Sequence, residues 1–159
     1  MGIKVIFLDV DGVLNTVFSE RRIYCYTFVD TRKVLRLRDI VERTGAKLVL
    51  SSTWRLADTP INKICYDMLK AEFERVRCPV WVDCTPHFPG RKRQVEIYSW
   101  LQQHSEIENF VILDDLAEEL QWYKDNLVLT NKFDGLNKER AELAIQMLGE
   151  IENEQHTGI

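Results

Sequence analysis

An apolar run near the start of the chain, Ile3–Leu8, leads directly into Asp9-Val10-Asp11-Gly12. Such a run, rich in β-branched residues and ended by a glycine turn, is typical of a buried strand. Successive side chains of an extended chain point to opposite sides, so Asp9 and Asp11 face the same way. The chain must therefore fold so that two carboxylates lie where a central strand leaves its sheet. Open α/β folds place their functional sites at that position.

Two carboxylates this close in a half-buried cleft repel each other, so a third group must stabilise them. The candidates are a divalent cation, a proton shared between the two, or a nearby Lys or Arg. The alternative is a simple Asp-Gly turn, in which one carboxylate caps a following helix. That turn needs only one Asp and no apolar strand before it, so the pattern favours a functional site.

Short apolar segments alternate with segments of helical spacing along the rest of the chain. Beyond the first strand, the patterns predict strands at 46–50, 79–83, 109–113 and 127–129, and helices at 31–44, from Pro60 onwards, at 93–104 and at 137–150. This alternation predicts βαβ crossovers and a mostly parallel sheet with helices on both faces. The period of two in Tyr24, Tyr26 and Phe28 predicts a small hairpin or flap within residues 12–30.

Size and charge narrow the classes of protein that fit. With 159 residues and 45% hydrophobic content, we expect one domain over residues 1–152 and a disordered tail over 153–159. No apolar run approaches the ~20 residues of a membrane span and no signal-peptide pattern is present, so we expect a cytoplasmic protein without a membrane partner. The net charge of −4 argues against a protein that coats nucleic acid nonspecifically. The oligomeric state is not predicted.

Cysteine and histidine spacing gives no sign of a zinc site or a disulfide framework. The residues concerned are Cys25, Cys65, Cys78, Cys84, His87, His104 and His156. None of the cysteines forms a CxxC pair, and a cytosolic chain keeps its thiols reduced. We therefore expect buried or idle thiols, with a Cys78–Cys84 pair as the alternative.

The segment "FLDVDGVLN" resembles the first motif of the haloacid dehalogenase (HAD) superfamily of phosphohydrolases. The other parts of that pattern follow in order: a strand ending in Ser ("LSSTWR"), a Lys or Arg at a helix start, and a strand ending in acidic residues ("ILDD"). These segments, with "GLN" further on, resemble the small capless branch found in RNA-repair multidomain proteins. The resemblance implies a three-layer Rossmann-like α/β sandwich. Its five-stranded, mostly parallel sheet would have the order 5-4-1-2-3, with no cap domain.

The resemblance also implies the roles of the acidic residues. Asp9 would be the nucleophile that forms an aspartyl-phosphate, and Asp11 would be the general acid and base. Of the pair that ends the fourth strand, Asp115 would be a direct metal ligand, while Asp114 would orient bound water. Four converging carboxylates are untenable at neutral pH without a cation, and hard oxygen ligands beside a phosphate predict Mg²⁺, with Asp9 and the main-chain carbonyl of Asp11 also in its ligand set.

Phosphate binding is assigned by the same pattern. Ser51, with backbone N–H groups such as that of Ser52, would hold a phosphate oxygen. Arg91, Lys92 and Arg93 all qualify as the neutralising cation. Arg93 is favoured because it lies one turn before the first buried helical position, and Lys92 comes next. Arg55 is expected either to contact a second phosphate or a polymer backbone, or to lie at the surface beside a core Trp54.

The sequence therefore predicts a Mg²⁺-dependent phosphomonoester hydrolase. Arg55 and the basic clusters Arg21-Arg22 and Arg91-Lys92-Arg93 suggest a large polyanionic substrate, such as a nucleic-acid phosphate end. Two alternatives stay open. One is a non-catalytic phosphate- or partner-binding module with the same fold, and the other is a HAD phosphotransferase.

Overall fold

Five parallel strands form the central sheet. The computed structural model describes residues 2–23 and 26–152, without the side chains of residues 21–27. The described residues form seven strands, which in chain order are β1 (Ile3–Leu8), β2 (Arg21–Ile23), β3 (Tyr26–Thr27), β4 (Lys47–Leu50), β5 (Asp83–Cys84), β6 (Ile107–Asp114) and β7 (Leu127–Leu129). Of these, β2 and β3 lie outside the central sheet. The sheet has the order β5-β4-β1-β6-β7, and each neighbouring pair is parallel. This confirms the predicted fold class and the predicted sheet order, with β1 at the centre.

The described residues form four α-helices: α1 (Thr31–Thr44), α2 (Pro60–Arg75) and α3 (Arg93–Gln102) lie between strands, and α4 (Lys138–Leu148) follows the last strand. Their ends follow local sequence signals. Asp30 caps the start of α1 through the backbone N–H of Arg32, and Gly45 ends this helix at a φ of 70°. Asn137 caps α4 in the same way, as its position in the sequence predicts. Within the described residues, no helix is long and apolar enough to cross a membrane.

Alternation along β1 divides the core into two layers. Ile6 and Leu8 belong to the larger cluster, which they share with buried residues of α1, α2 and α4. Val5 and Phe7 point to the other face and pack with residues of α3, including an edge-on contact between Phe7 and Trp100. The sheet is therefore covered on both faces, as expected for a parallel sheet.

The predicted strand at 79–83 is largely wrong. Regular pairing covers Asp83 and Cys84, although Val82 N already donates to Leu48 O at 2.9 Å. The reason is Trp81, which is buried and packs edge-on against Tyr66 and Phe73 of α2. The segment before Asp83 thus fills the core beside α2 instead of extending the ladder.

The predicted hairpin within residues 12–30 is confirmed at the level of the backbone. Strands β2 and β3 pair antiparallel, apart from the main sheet, with Ile23 opposite Tyr26. Phe28 follows the hairpin and is buried in the core. The predictions that concern Tyr24, Cys25 and residues 153–159, which include His156, fall outside the described residues.

The cysteines that the structure describes are free thiols. Cys65 and Cys78 are buried, and Cys84 is half-buried. The alternative disulfide between Cys78 and Cys84 is therefore wrong. Burial raises the pKa of the Cys78 thiol to about 12, which keeps this side chain neutral and inert at physiological pH.

Candidate active site

The carboxyl ends of β1, β4 and β6 meet at one edge of the sheet. Asp9 follows β1, Ser51 follows β4, and Asp114 is the last residue of β6. Backbone hydrogen bonds continue the ladder on both sides of β1, because Ser51 N donates to Leu8 O at 2.9 Å and Asp9 N donates to Leu113 O at 3.0 Å. The parallel register therefore brings the polar residues that follow three different strands side by side.

Three carboxylates and one guanidinium form the centre of this edge. Asp9, Asp114 and Asp115 each present an oxygen, and these three oxygens lie within 4.8 Å of one another. Asp9 and Asp114 are buried, while Asp115 is half-buried. Arg93 Nη1 lies 3.2 Å from Asp9 Oδ2 and 2.6 Å from Asp114 Oδ2. The predicted cation Arg93 therefore bridges two of the predicted acidic residues.

One guanidinium does not balance three carboxylates, and the pKa values reflect this. Burial, reinforced by the charge of Asp114, raises the pKa of Asp9 to about 8 despite the opposing charge of Arg93. Burial and Asp114 also raise the pKa of Asp115. Burial works to lower the pKa of Arg93, but Asp9 and Asp114 outweigh it and raise that pKa above its usual value. The cluster therefore carries excess negative charge, which an additional cation would neutralise.

The donor set fits a small divalent cation. Carboxylate oxygens are the ligands that Mg²⁺ prefers, and the excess negative charge is the charge such an ion would neutralise. Gly12 allows the close approach that this arrangement needs. Its φ is 77°, and a Cβ at this position would collide with the Asp115 carboxylate. The glycine of the first motif is thus required both by the turn and by the acidic residue beside it.

Asp11 does not join this cluster through its side chain. Trp54 Nε1 donates to Asp11 Oδ2 at 3.0 Å, and Asn15 Nδ2 donates to Asp11 Oδ1 at 2.9 Å. The Asn15 amide oxygen in turn accepts from Gly12 N at 3.0 Å. The expected convergence of four carboxylates is therefore corrected to three, because two side-chain donors hold the Asp11 carboxylate in its own position. The use of the Asp11 main-chain carbonyl as a metal ligand stays a prediction.

The two serines after β4 have different surroundings. Ser52 is fully buried, and its hydroxyl accepts from Trp54 N at 3.1 Å, which caps the 3₁₀ turn Thr53–Arg55. Ser51 is equally buried, but among the described residues its Oγ has no hydrogen-bond partner. Leaving a buried hydroxyl unsatisfied costs about 1–3 kcal/mol. A phosphate oxygen at the strand ends would satisfy the Ser51 hydroxyl.

The structure separates the three adjacent basic residues before the fourth sheet strand. Arg93 begins α3 and reaches the acidic cluster, and its backbone N–H donates to Glu119 Oε2 at 2.9 Å. Lys92 points away, since its Nζ donates to Glu118 O at 3.3 Å near the surface. Arg91 is exposed. Of the three candidates, the first turn of α3 therefore brings Arg93 to the site.

Arg55 is neither a substrate contact nor a surface residue. Its side chain is 3% exposed and pairs with Glu96 Oε2 at 3.0 Å. Its other donors bind the carbonyl oxygens of Ser51, Ser52, Thr85 and Pro86. Both sequence expectations for Arg55 are wrong, because the loops after β4 and β5 leave backbone carbonyls that this guanidinium satisfies inside the protein.

Two residues of the site region, Asn15 and Glu96, were not assigned a role from sequence, and Trp54 was expected in the core without a link to Asp11. Asn15 and Trp54 hold Asp11, and Glu96 accepts hydrogen bonds from Arg55, from the backbone N–H of Phe88 and from the His87 ring. Glu96 lies in the first turn of the helix that begins with Arg93, directly before the apolar Ile97, and this position was the signal that the sequence offered for it. No signal in the sequence pairs Asn15 or Trp54 with Asp11, because these contacts depend on how the turns fold.

Comparison with known proteins agrees with this arrangement. Residues 5–141 match the family described as the HAD domain in Swiss Army Knife RNA repair proteins. The match begins within β1, at Val5, and includes the other four strands of the sheet. It also includes Asp9, Asp11, Ser51, Arg93, Asp114 and Asp115. No curated protein and no solved structure matches the chain.

Proposed function

Because the chain belongs to the HAD domain family of Swiss Army Knife RNA repair proteins, we propose that it is a Mg²⁺-dependent phosphomonoester hydrolase that acts through Asp9. The observation that carries this proposal is the cluster of Asp9, Asp114 and Asp115 with Arg93 at the carboxyl edge of the sheet. A nucleophile, ligands for a cation and a fixed positive charge are the parts that phosphoryl transfer needs.

In the first step, Asp9 attacks the phosphorus atom and the bond to the leaving alkoxide breaks, which gives an aspartyl-phosphate. Asp11 donates a proton to the leaving oxygen. In the second step, Asp11 takes a proton from water as the water attacks the phosphorus, and inorganic phosphate and free Asp9 result. The hydrogen bonds from Trp54 and Asn15 support a fixed position for the Asp11 carboxylate, which a residue that exchanges protons with the leaving oxygen and with water needs.

Ser51 and Arg93 are proposed to hold the phosphoryl oxygens. The buried Ser51 hydroxyl is available for such a contact, and the Arg93 guanidinium already faces Asp9. Mg²⁺, held by Asp9 and Asp115 with Asp114 beside them, would add positive charge where negative charge develops. Cation binding would also favour the ionised form of Asp9, whose raised pKa otherwise keeps it largely protonated at neutral pH.

The direct test is hydrolysis of p-nitrophenyl phosphate by the purified chain. We expect turnover with Mg²⁺, loss after exhaustive EDTA treatment, and recovery when Mg²⁺ is added back. Full activity after EDTA treatment would refute the metal requirement. Phosphate binding without any turnover, with Mg²⁺ present and across a panel of phosphorylated metabolites and oligonucleotides, would instead support the non-catalytic binding module.

A nucleic-acid phosphate end is the substrate class we propose. The description of the family supports it, whereas the buried Arg55 no longer does. The kcat/KM for a phosphate-ended oligonucleotide should then exceed that for the matching mononucleotide and fall steeply with salt, as contacts to phosphates are screened. Equal kcat/KM values at low salt would point to small phosphomonoesters instead.

A further inference from the structure

A cleft of about 180 Å³ opens directly beside Asp11. It lies between the turn that follows β4 and the first two turns of α2. Its walls are formed by Asp11, Thr53, Trp54, Leu56, Asn62 and Cys65. None of these residues except Asp11 has a role in the proposed chemistry of the phosphoryl group.

Trp54, one of the residues that line this cleft, holds Asp11 in position beside it. Trp54 is 8% exposed, and its indole Nε1 donates to Asp11 Oδ2 at 3.0 Å. A buried indole has little freedom to move. A leaving oxygen that receives a proton from Asp11 must therefore carry its carbon body into a space that borders Asp11.

A second cleft, of about 200 Å³, also borders Asp11, but its walls include Asp115 and Lys132. Asp115 belongs to the three-carboxylate cluster, so that side is where a bound cation and its water ligands would lie. The body of the leaving group is thus directed to the cleft beside Trp54.

The chemistry of the Trp54 cleft is neutral except for Asp11. The indole of Trp54 and the side chains of Leu56 and Cys65 give apolar walls, and burial raises the pKa of the Cys65 thiol, which keeps it uncharged. Thr53 and Asn62 add a hydroxyl and an amide that can hydrogen-bond an alcohol. Among side chains that the structure describes, no Lys or Arg lines this cleft.

The rim of the cleft adds to its negative character. Asn62 Nδ2 donates to Asp58 Oδ1 at 2.7 Å, so a second carboxylate stands next to a lining residue. Lys63, the adjacent cation on α2, is paired with Asp67 at 3.1 Å. An anionic group entering here would meet carboxylates and no counter-charge from the described lining residues.

We propose that the Trp54 cleft is the leaving-group subsite, and that it selects phosphomonoesters of neutral alcohols with an apolar face. It rejects esters that carry a further anionic group next to the scissile bond. This inference rests on the proposed phosphatase function and specifies the substrate class of the same site. For a nucleic-acid end, it means that a terminal nucleoside enters the cleft while the next phosphate stays outside.

Two aryl phosphates of nearly equal shape test this selection. 4-Carbamoylphenyl phosphate has a neutral leaving group, and 4-carboxyphenyl phosphate has an anionic one. With Mg²⁺ present, kcat/KM for the neutral ester should be at least about tenfold higher, the size expected for one like-charge contact near a protein surface. Leu56→Lys introduces a cation into the cleft and should reduce this ratio severalfold. Thr53→Lys does the same from an exposed position, in case Leu56→Lys does not fold.

Ile61→Lys is the matched control, since Ile61 is a partly exposed residue of α2 that does not line the cleft. It should leave the ratio unchanged. A ratio near one in the wild type, or one that responds to Lys132→Ala and not to Leu56→Lys and Thr53→Lys, would overturn the inference and leave the phosphatase function standing. If p-nitrophenyl phosphate is hydrolysed with Mg²⁺ present but neither of these esters is, the inference fails alone. If no phosphomonoester is hydrolysed, the proposed function fails and the inference fails with it.

Discussion

At the scale of single residues, the proposed activity depends first on Asp9. Asp9→Asn keeps the shape of the strand end and removes the attacking oxygen, so turnover should fall by at least about a thousandfold. The fold should persist, because the amide loses only part of the contact with Arg93. Steady-state hydrolysis of p-nitrophenyl phosphate and circular dichroism measure the two effects. Exposed Asp125→Asn is the control, and retention of more than a few per cent of activity by Asp9→Asn would reject Asp9 as the nucleophile.

The two acidic residues at the end of β6, Asp114 and Asp115, should differ in their effects on stability and on Mg²⁺ binding. Asp114 is fully buried and accepts hydrogen bonds from Arg93 and from Leu116 N, so Asp114→Asn should lower the free energy of unfolding by about 1–3 kcal/mol. Asp115 is half-buried, so Asp115→Asn should weaken Mg²⁺ binding more while changing stability less. Calorimetric Mg²⁺ titration and urea unfolding give both quantities, and the reverse order of Mg²⁺ affinities would contradict the assignment.

Sequence reasoning worked at this scale where a residue's position follows from the strand before it. Asp9, Ser51 and Asp114 each follow or end a strand, so the parallel sheet brings them together. It failed for Arg55, whose partners are backbone carbonyls on two loops and a glutamate on α3. A sequence shows that Arg55 can donate hydrogen bonds, but it does not show which carbonyls the folded loops leave unpaired.

At the scale of elements, Arg55 and Glu96 connect the loops after β4 and β5 to α3, the helix that begins with Arg93. Burial lowers the pKa of Arg55, although the negative charge of Glu96 acts in the opposite direction. The two side chains form a buried ion pair. Arg55→Met would leave the buried Glu96 carboxylate without its cation. The free energy of unfolding should fall by about 3–5 kcal/mol, the usual loss when one partner of a buried ion pair is removed.

Urea unfolding of Arg55→Met, Glu96→Gln and the double variant measures this coupling as a double-mutant cycle. The matched control is Lys63→Met, which breaks an exposed pair with Asp67 and should cost less than about 0.5 kcal/mol. The losses from Arg55→Met and Glu96→Gln should be far from additive. Additive losses, or a loss below about 1 kcal/mol for Arg55→Met, would show that the elements hold their positions without this pair.

Element boundaries were predictable where caps define them and not where tertiary packing does. The predicted limits 31–44 for α1 agree with the structure, since Asp30 and Gly45 mark both ends. The apolar pattern of 79–83 predicted a strand, but packing of Trp81 against α2 competes with pairing there. Local pattern alone does not weigh these two uses of the same apolar side chains.

At the scale of the whole molecule, the sheet order is the firmest prediction, because the family pattern and the alternation of strands and helices agree with it. This order places Asp9, Asp114 and Asp115 together at the carboxyl edge of the sheet, where Arg93 alone does not balance their negative charge. Stability and cation binding should therefore be linked through pH. Asp9 is the group that connects them, since its pKa is raised to about 8 from an ordinary value of 3.8.

The sign of this linkage follows from the direction of the shift. The folded, metal-free protein keeps the Asp9 proton at pH values where the unfolded chain has lost it, so this proton stabilises the fold fully below pH 3.8. The contribution declines as the pH rises and is gone above about pH 8. Asp115, whose pKa is also raised, acts in the same direction. Between about pH 6 and about pH 8, the Tm of the metal-free wild type should therefore fall relative to that of Asp9→Asn.

Mg²⁺ should reverse this trend, because its binding requires ionised Asp9 and so competes with the proton below about pH 8. The apparent Mg²⁺ affinity should rise by up to about tenfold per pH unit as that competition weakens. At a fixed Mg²⁺ concentration, the increase in Tm over the metal-free protein should then grow from about pH 6 to about pH 8. Thermal denaturation with and without EDTA across this range measures it, with Asp9→Asn expected to show a smaller shift and a weaker pH slope. A Mg²⁺-induced shift in Tm of equal size at every pH would show that the cation does not displace a proton from Asp9.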